Sequence, residues 1–283
     1  SWTSEMYDTI LVPTDGSDVA AVAADAAVAL ARRFGADVRA VYVRDDDGDD
    51  RGERATATVA GRATTAGVDA TTAVVDADGS IHRRILADAD EHGADCIVMG
   101  THGRTGLDRF VLGSVAERTL RESSVPVFTV HEDTVVDRDL DAVLVPTDGS
   151  ACSEAAAAHA IDLALSADAA LHVVHVVDAS VVPMDGSGAV LDELQRAGER
   201  ALDSVVERAE RAGVSTIRAS VLSGTPYRAI TDYADAEDVA LVVMGTHGRT
   251  GFDRYLLGSV AERVVRLSDC PVLTVDDDDD DDR

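Results

Sequence analysis

The chain of 283 residues carries 53 Asp and Glu against 25 basic residues, a formal charge of -28, and every basic residue is arginine. Without lysine there is no lysine-dependent P-loop, no protein-kinase phosphate grip and no pyridoxal Schiff base. A field this negative also repels phosphate backbones and anionic lipid heads, which disfavours general nucleic-acid or membrane-surface binding.

The residues before Met6 read as an extension ahead of a natural start. Thr9 to Val12 is a short apolar run that turns at Pro13-Thr14-Asp15-Gly16 into an alanine-rich helix predicted over 19–34 and closed by Gly35. A strand over 38–43, the acidic loop 45–50, a weak helical pattern and a strand around 71–75 follow. A helix over 81–91 with Gly93 behind it leads to a strand over 96–99. The glycine loop 100–106 then precedes a helix from about 114 to 121, and a strand over 127–130 closes the unit.

The order repeats. Ile10 to Ser17 (ILVPTDGS) returns as Val143 to Ser150 (VLVPTDGS), and Val98 to Gly106 (VMGTHGRTG) returns unchanged as Val243 to Gly251. The first motif recurs after 133 residues and the second after 145, so the second copy carries 12 more residues between them. Its predicted elements are a helix over 153–165, a strand over 171–177, a longer helix over 191–211, a strand over 216–221, a helix over 227–234, and strands over 241–244 and 272–275. Short apolar strands alternating with amphipathic helices predict an α/β fold, two tandem doubly wound domains, each with a five-stranded parallel sheet. The expected boundaries are a first domain over 6–131, a linker over 132–140, a second domain over 141–276 and an acidic tail over 277–283.

Three cysteines, Cys96, Cys152 and Cys270, an odd number without a C-x-x-C pair, read as buried small hydrophobes in a reducing compartment rather than as disulfides or a metal site. With no stretch resembling a membrane span or leader, the expected location is the cytoplasm. The acidic tail holds only a minor part of the negative charge. Lysine and asparagine are both absent and Asp outnumbers Glu 40 to 13, a composition resembling that of a salt-in halophilic archaeon. In molar salt the Debye length falls to about 3 Å and self-repulsion is screened. The midpoint of thermal unfolding is therefore expected to rise with KCl; a flat or falling midpoint between low and molar salt would contradict this.

In an open parallel sheet ligands bind beyond the carboxyl ends of the strands, where the strand order reverses. Both repeated motifs follow strands that would be neighbours at that point. The loop reads Gly100-x2-Gly103-x9-Gly113-Ser114 and again Gly245-x2-Gly248-x9-Gly258-Ser259. Its glycines let backbone amides approach oxygens, and a glycine-serine pair at a helix start aims free N–H groups at an anion without a lysine. His102 and His247 invite a metal or base reading, but each stands alone in spacing, so backbone is expected to matter more than imidazole. Ser114 and Ser259 read as helix caps and phosphate donors, having no paired base that would make them nucleophiles. Arg104 and Arg249 read either as the local positive charge for a triphosphate or as solvated loop residues.

Both copies resemble universal stress protein A domains of the ATP-binding type marked by G-x2-G-x9-G-[S/T], over about 6–275. The resemblance implies a Rossmann-like fold of the adenine nucleotide alpha hydrolase kind. It implies an adenine nucleotide as ligand, with Mg2+ as an accompanying ion left open, held by Pro13, Thr14, Asp15, Val43, Met99, Gly100, His102, Gly103, Gly113, Ser114 and Val115 with Arg104. The second set is Pro146, Thr147, Asp148, Val176, Met244, Gly245, His247, Gly248, Gly258, Ser259 and Val260 with Arg249. The helix-start pattern Gly224-Thr225-Pro226 is matched in the first copy only by Gly79-Ser80-Ile81, which with the trimmed helix makes the first site the weaker match. The last strands of such domains mediate dimerisation, so the two halves are expected to pair, with a homodimer of chains left open. No catalytic constellation or metal site is legible. The function implied is a nucleotide-responsive stress regulator; slow ATP hydrolysis or nucleotidyl chemistry is the enzyme alternative, and a scaffold without nucleotide is the third.

Overall fold

A computed structural model describes residues 6–45, 50–77, 79–103, 112–136, 139–178, 188–248 and 257–277, with the side chains of 188–192 and 194 excepted. The chain divides into two compact units, residues 1–137 and 138–283. In the first, β1 (Thr9–Pro13), α1 (Asp18–Phe34), β2 (Asp37–Arg44), α2 (Arg51–Thr65), β3 (Ala70–Asp76), α3 (Ile81–Glu91), β4 (Cys96–Gly100), α4 (Ser114–Glu122) and β5 (Val127–Val130) follow one another. Their sheet runs β3-β2-β1-β4-β5, and every pair is parallel.

The second unit repeats this with β6 (Ala142–Pro146), α5 (Ala151–Ala167), β7 (Ala170–Val177), α6 (Gly188–Ala212), β8 (Ile217–Ser223), α7 (Pro226–Ala236), β9 (Leu241–Gly245), α8 (Ser259–Leu267) and β10 (Val272–Val275). Its order is β8-β7-β6-β9-β10, again parallel. The doubly wound reading of both copies therefore holds. The weak pattern after the first acidic loop is a full 15-residue helix, α2, and its counterpart α6 has 25 residues and starts at Gly188, ahead of the predicted Leu191. The extra length of the second copy accordingly sits largely in this helix.

Sequence explains the layers. A strand covered by helices on both faces reads as a continuous apolar run, and Ile10, Leu11 and Val12 of β1 and Val143, Leu144 and Val145 of β6 are fully buried. Helix α1 lies against this sheet through Ala23, Ala24 and Ala27, all fully buried, whose small side chains let helix and strands approach. Ser17 starts α1 by accepting from the Ala20 amide at 3.3 Å, and Gly35 ends it in the left-handed conformation at φ +75°. Ser150 caps α5 in the same way through the Ser153 amide, at 3.3 Å. Cys96, Cys152 and Cys270 are free thiols and buried.

One core position differs between the units. In the first, Arg39 of β2 clamps Asp88 of α3 with two hydrogen bonds of 2.6 and 2.9 Å, and Asp88 is 0% exposed. In the second, the equivalent positions of β7 and α7 hold His172 and Tyr233, joined by a 3.1 Å hydrogen bond with the rings edge to face. Burial holds the His172 imidazole below its usual pKa, so neutral imidazole and phenol replace a charged pair. No described helix is long and apolar enough to cross a membrane.

Candidate functional site

The strand order reverses between β1 and β4, which pair through Ile10 with Cys96 and Leu11 with Ile97. The chain leaves both strands at the same end. Beyond β1, Thr14 accepts the Gly16 amide at 3.2 Å, Asp15 accepts the Ser17 amide at 3.0 Å, and the Thr14 amide reaches the Val41 carbonyl at 2.9 Å. These bonds fix the turn and hold the Asp15 carboxylate at the strand end. The second unit reproduces them with Thr147, Gly149, Asp148, Ser150 and the Val174 carbonyl at 3.2, 3.0 and 2.8 Å.

A cleft of about 270 Å³ opens at this end of the first sheet. Pro13, Thr14, Asp15, Val43, Met99, Gly100, His102, Gly103, Gly113, Ser114 and Val115 all line it, so eleven of the twelve residues expected for the first copy converge. The twelfth, Arg104, and its counterpart Arg249 lie outside the described residues. Val41 and Ile85, which sequence reasoning did not name, also line the cleft, as does Ile81, noted there only as a departure from the helix-start pattern. Ile81 and Ile85 sit one turn apart on α3, so helical spacing is the signal that could have found them. With Val43 and Met99 they are the apolar part of the lining, while the Asp15 carboxylate and the backbone of the glycine loop are its polar part.

The amide end is built by the glycine loop. The Gly113 amide closes onto the Thr101 carbonyl at 2.7 Å, and α4 begins at Ser114 with Gly113 as its cap residue and no side chain capping it. The expectation that Ser114 and Ser259 cap their helices is therefore corrected: each is the first helical residue, exposed, and the cap positions belong to Gly113 and Gly258. A glycine cap blocks nothing, leaving the first-turn amides and the positive dipole end facing the cleft. A Cβ on Gly103 would fall 2.6 Å from the Asp15 Oδ2, and one on Gly248 would fall 2.8 Å from the Asp148 Oδ2. Both glycines thus lie close against the strand-end carboxylate.

In the second unit Pro146 ends β6 and Thr147 and Asp148 follow it, Val176 lies on β7, Met244 and Gly245 end β9, and Ser259 and Val260 open α8. The Gly258 amide closes onto the Thr246 carbonyl at 2.8 Å, as Gly113 does in the first. One difference was hidden from sequence spacing. Both His102 and His247 place Nδ1 by the hydroxyl of the preceding threonine, at 3.3 and 2.9 Å, but His247 is also 3.7 Å from the Asp276 carboxylate, beside Cys152.

A sequence profile of the universal stress protein family matches residues 6–131 and 140–276. A universal stress protein of Methanocaldococcus jannaschii is 44% identical over 137 residues, 47% of this chain and 80% of that one. One from Mycolicibacterium smegmatis is 34% identical over 195 residues, 68% of this chain and 65% of that one. The crystal structure of a universal stress protein from Archaeoglobus fulgidus shares the fold at a TM-score of 0.74 and 24% identity, covering 98% of each chain.

Proposed function

The chain belongs to the universal stress protein family, and from that premise we propose that each of its units binds ATP, accompanied by Mg2+, so that the chain acts as a nucleotide-responsive stress regulator. The observation that carries this reading is the first-unit cleft, whose lining brings residues of both repeated motifs together with the apolar side chains of Val41, Val43, Ile81, Ile85 and Met99 and with the uncapped start of α4. Such a site suits a molecule that is a flat apolar ring on one side and a polyanion on the other. Val41, Val43, Ile81, Ile85 and Met99 would hold the base, Asp15 the sugar, and the backbone of Gly100 to Gly103 with Gly113, Ser114 and Val115 the phosphates. The glycine loop leaves room for a ligand where any side chain would meet Asp15. Bound ATP supplies a terminal phosphate that distinguishes it from ADP, and Mg2+ offsets phosphate charge in so acidic a protein.

The second-unit residues repeat the motif and are assigned the same role, Pro146, Thr147, Asp148, Val176, Met244, Gly245, His247, Gly248, Gly258, Ser259 and Val260 in that order along the chain. Pairing of the two halves through their last strands belongs to the same proposal, as does a cytoplasmic, high-salt setting. Binding in molar KCl with a parallel assay of phosphate release tests the functional reading. Binding without sustained release supports a regulator; multiple turnovers would move the protein to the slow-ATPase reading; no binding would leave the scaffold.

A further inference from the structure

Three elements of the second unit that are far apart in sequence meet beyond the end of its sheet: the start of α5, the loop after β9 and the end of β10. They bring one thiol, one imidazole and one carboxylate, those of Cys152, His247 and Asp276, to within 4.8 Å of one another. We propose that Cys152, His247 and Asp276, with Asp277 as fourth ligand, form a binding site for a divalent cation of the zinc class.

The distances support a coordination set. Ligand bonds of about 2.0–2.3 Å in a tetrahedral site place neighbouring donor atoms about 3.3–3.8 Å apart. The Cys152 Sγ is 3.5 Å from the Asp276 Oδ1, which is 3.7 Å from the His247 Nδ1. The Asp277 Oδ1 is 3.0 Å from the same sulfur, shorter than that range, because it accepts the thiol proton that the cation would displace. Outer contacts hold the donors. The Thr246 hydroxyl donates to the Asp276 Oδ1 at 3.0 Å, and Gly245 packs so closely that a Cβ there would lie 2.8 Å from the Cys152 backbone. His247, with a side chain only 11% exposed, keeps its buried Nε2 without a hydrogen-bond partner among the described residues. Its Nδ1, 2.9 Å from the Thr246 hydroxyl, is the ring nitrogen on the side of the Asp276 carboxylate, and an Nδ1-bound cation would leave the ring proton on Nε2.

A nucleophilic Cys-His-Asp arrangement does not fit. There the imidazole stands between thiol and carboxylate, whereas this thiol donates directly to Asp277 and touches Asp276. Burial, reinforced by that hydrogen bond, pushes the Cys152 thiol up to about 12, the reverse of an activated sulfur. A divalent cation would replace the thiol proton, forming the metal–sulfur bond and releasing one proton to solvent. Thiolate and imidazole together favour zinc or cobalt over magnesium or calcium, which distinguishes this site from the acidic surface.

The first unit provides an internal control. Its equivalent positions hold Val19, His102 and His131, with His131 joined to the Thr101 hydroxyl at 2.9 Å. Valine supplies no donor atom, so the site is expected once per chain. The test is a titration of the reduced, chelator-stripped full chain with Co2+ alone in molar KCl, followed by Zn2+. The expected result is a thiolate-to-cobalt charge-transfer band that saturates at one equivalent and is displaced by one equivalent of Zn2+. Cys152→Val, which installs the first unit's residue, should abolish the band, while Asp276→Asn should keep it and weaken binding by about tenfold to a hundredfold. Cobalt uptake without the band, spread over many equivalents, would mean surface carboxylates only and would overturn the proposal. So would a band surviving in Cys152→Val, which would place the thiolate at Cys96 or Cys270. The wild-type titration decides the first point even if the variant fails to fold.

Discussion

Gly103→Val is expected to lower the ATP bound per chain from two molecules to one. A Cβ at this position falls 2.6 Å from the Asp15 Oδ2, and that carboxylate is held at its other oxygen by the Ser17 amide at 3.0 Å. Valine would force Asp15 to turn, and its branched methyl groups would occupy the cleft between loop and strand end. The affinity of the first site should drop by at least about a hundredfold, near 2.8 kcal/mol, beyond detection in an ordinary titration. The second unit, whose own loop is untouched, should bind as before. Gly248→Val, where the Cβ would fall 2.8 Å from the Asp148 Oδ2, should do the converse. Unchanged stoichiometry in both variants would refute the loop assignment.

Asp88→Ala carries the largest expected effect on stability. Asp88 is fully buried and takes both guanidinium bonds of Arg39, so alanine would strand a mostly buried cation with no carboxylate. Breaking such a pair from one side costs about 3–5 kcal/mol, because the remaining charge stays desolvated. The second unit shows how the position can be filled without ions. The double variant Arg39→His with Asp88→Tyr, which copies His172 and Tyr233, should recover the greater part of the loss. Urea unfolding of the three proteins in molar KCl reads this directly. A loss below about 1 kcal/mol in Asp88→Ala would show that Arg39 reaches solvent on its own. A double variant no better than the single would show that the two cores are not interchangeable.

The order of elements and the parallel sheet were legible because apolar runs such as Ile10 to Val12 are short and continuous where a strand is covered on both faces, while α1 is a long alanine-rich stretch between Ser17 and Gly35. The reversal of strand order between β1 and β4 placed both motifs at one end, and the cleft there contains their residues. Other features depend on contacts made only in three dimensions. Whether Gly113 or Ser114 caps α4 turns on one residue of helix boundary, and sequence favoured the serine because serine is the better cap in isolation. Ile85 carries no motif, and Ile81 stood out only as a departure from the helix-start pattern; that both line the cleft depends on how α3 packs. The Cys152, His247 and Asp276 cluster had no legible spacing at all, since its members come from the start of one helix and the ends of two strands. Paired substitutions such as Arg39 and Asp88 for His172 and Tyr233 were visible as residues but not as partners.

With no lysine, the proposed phosphate ligand would be held by backbone amides, a helix start and arginine, and in so acidic a chain that binding is expected to depend on salt. Calorimetric titration of the purified, nucleotide-free chain with Mg-ATP in molar KCl is therefore the most direct measurement. Saturation at two ATP per chain, falling to one in Gly103→Val, is the predicted result; no heat of binding in the wild-type chain at any salt concentration would contradict it.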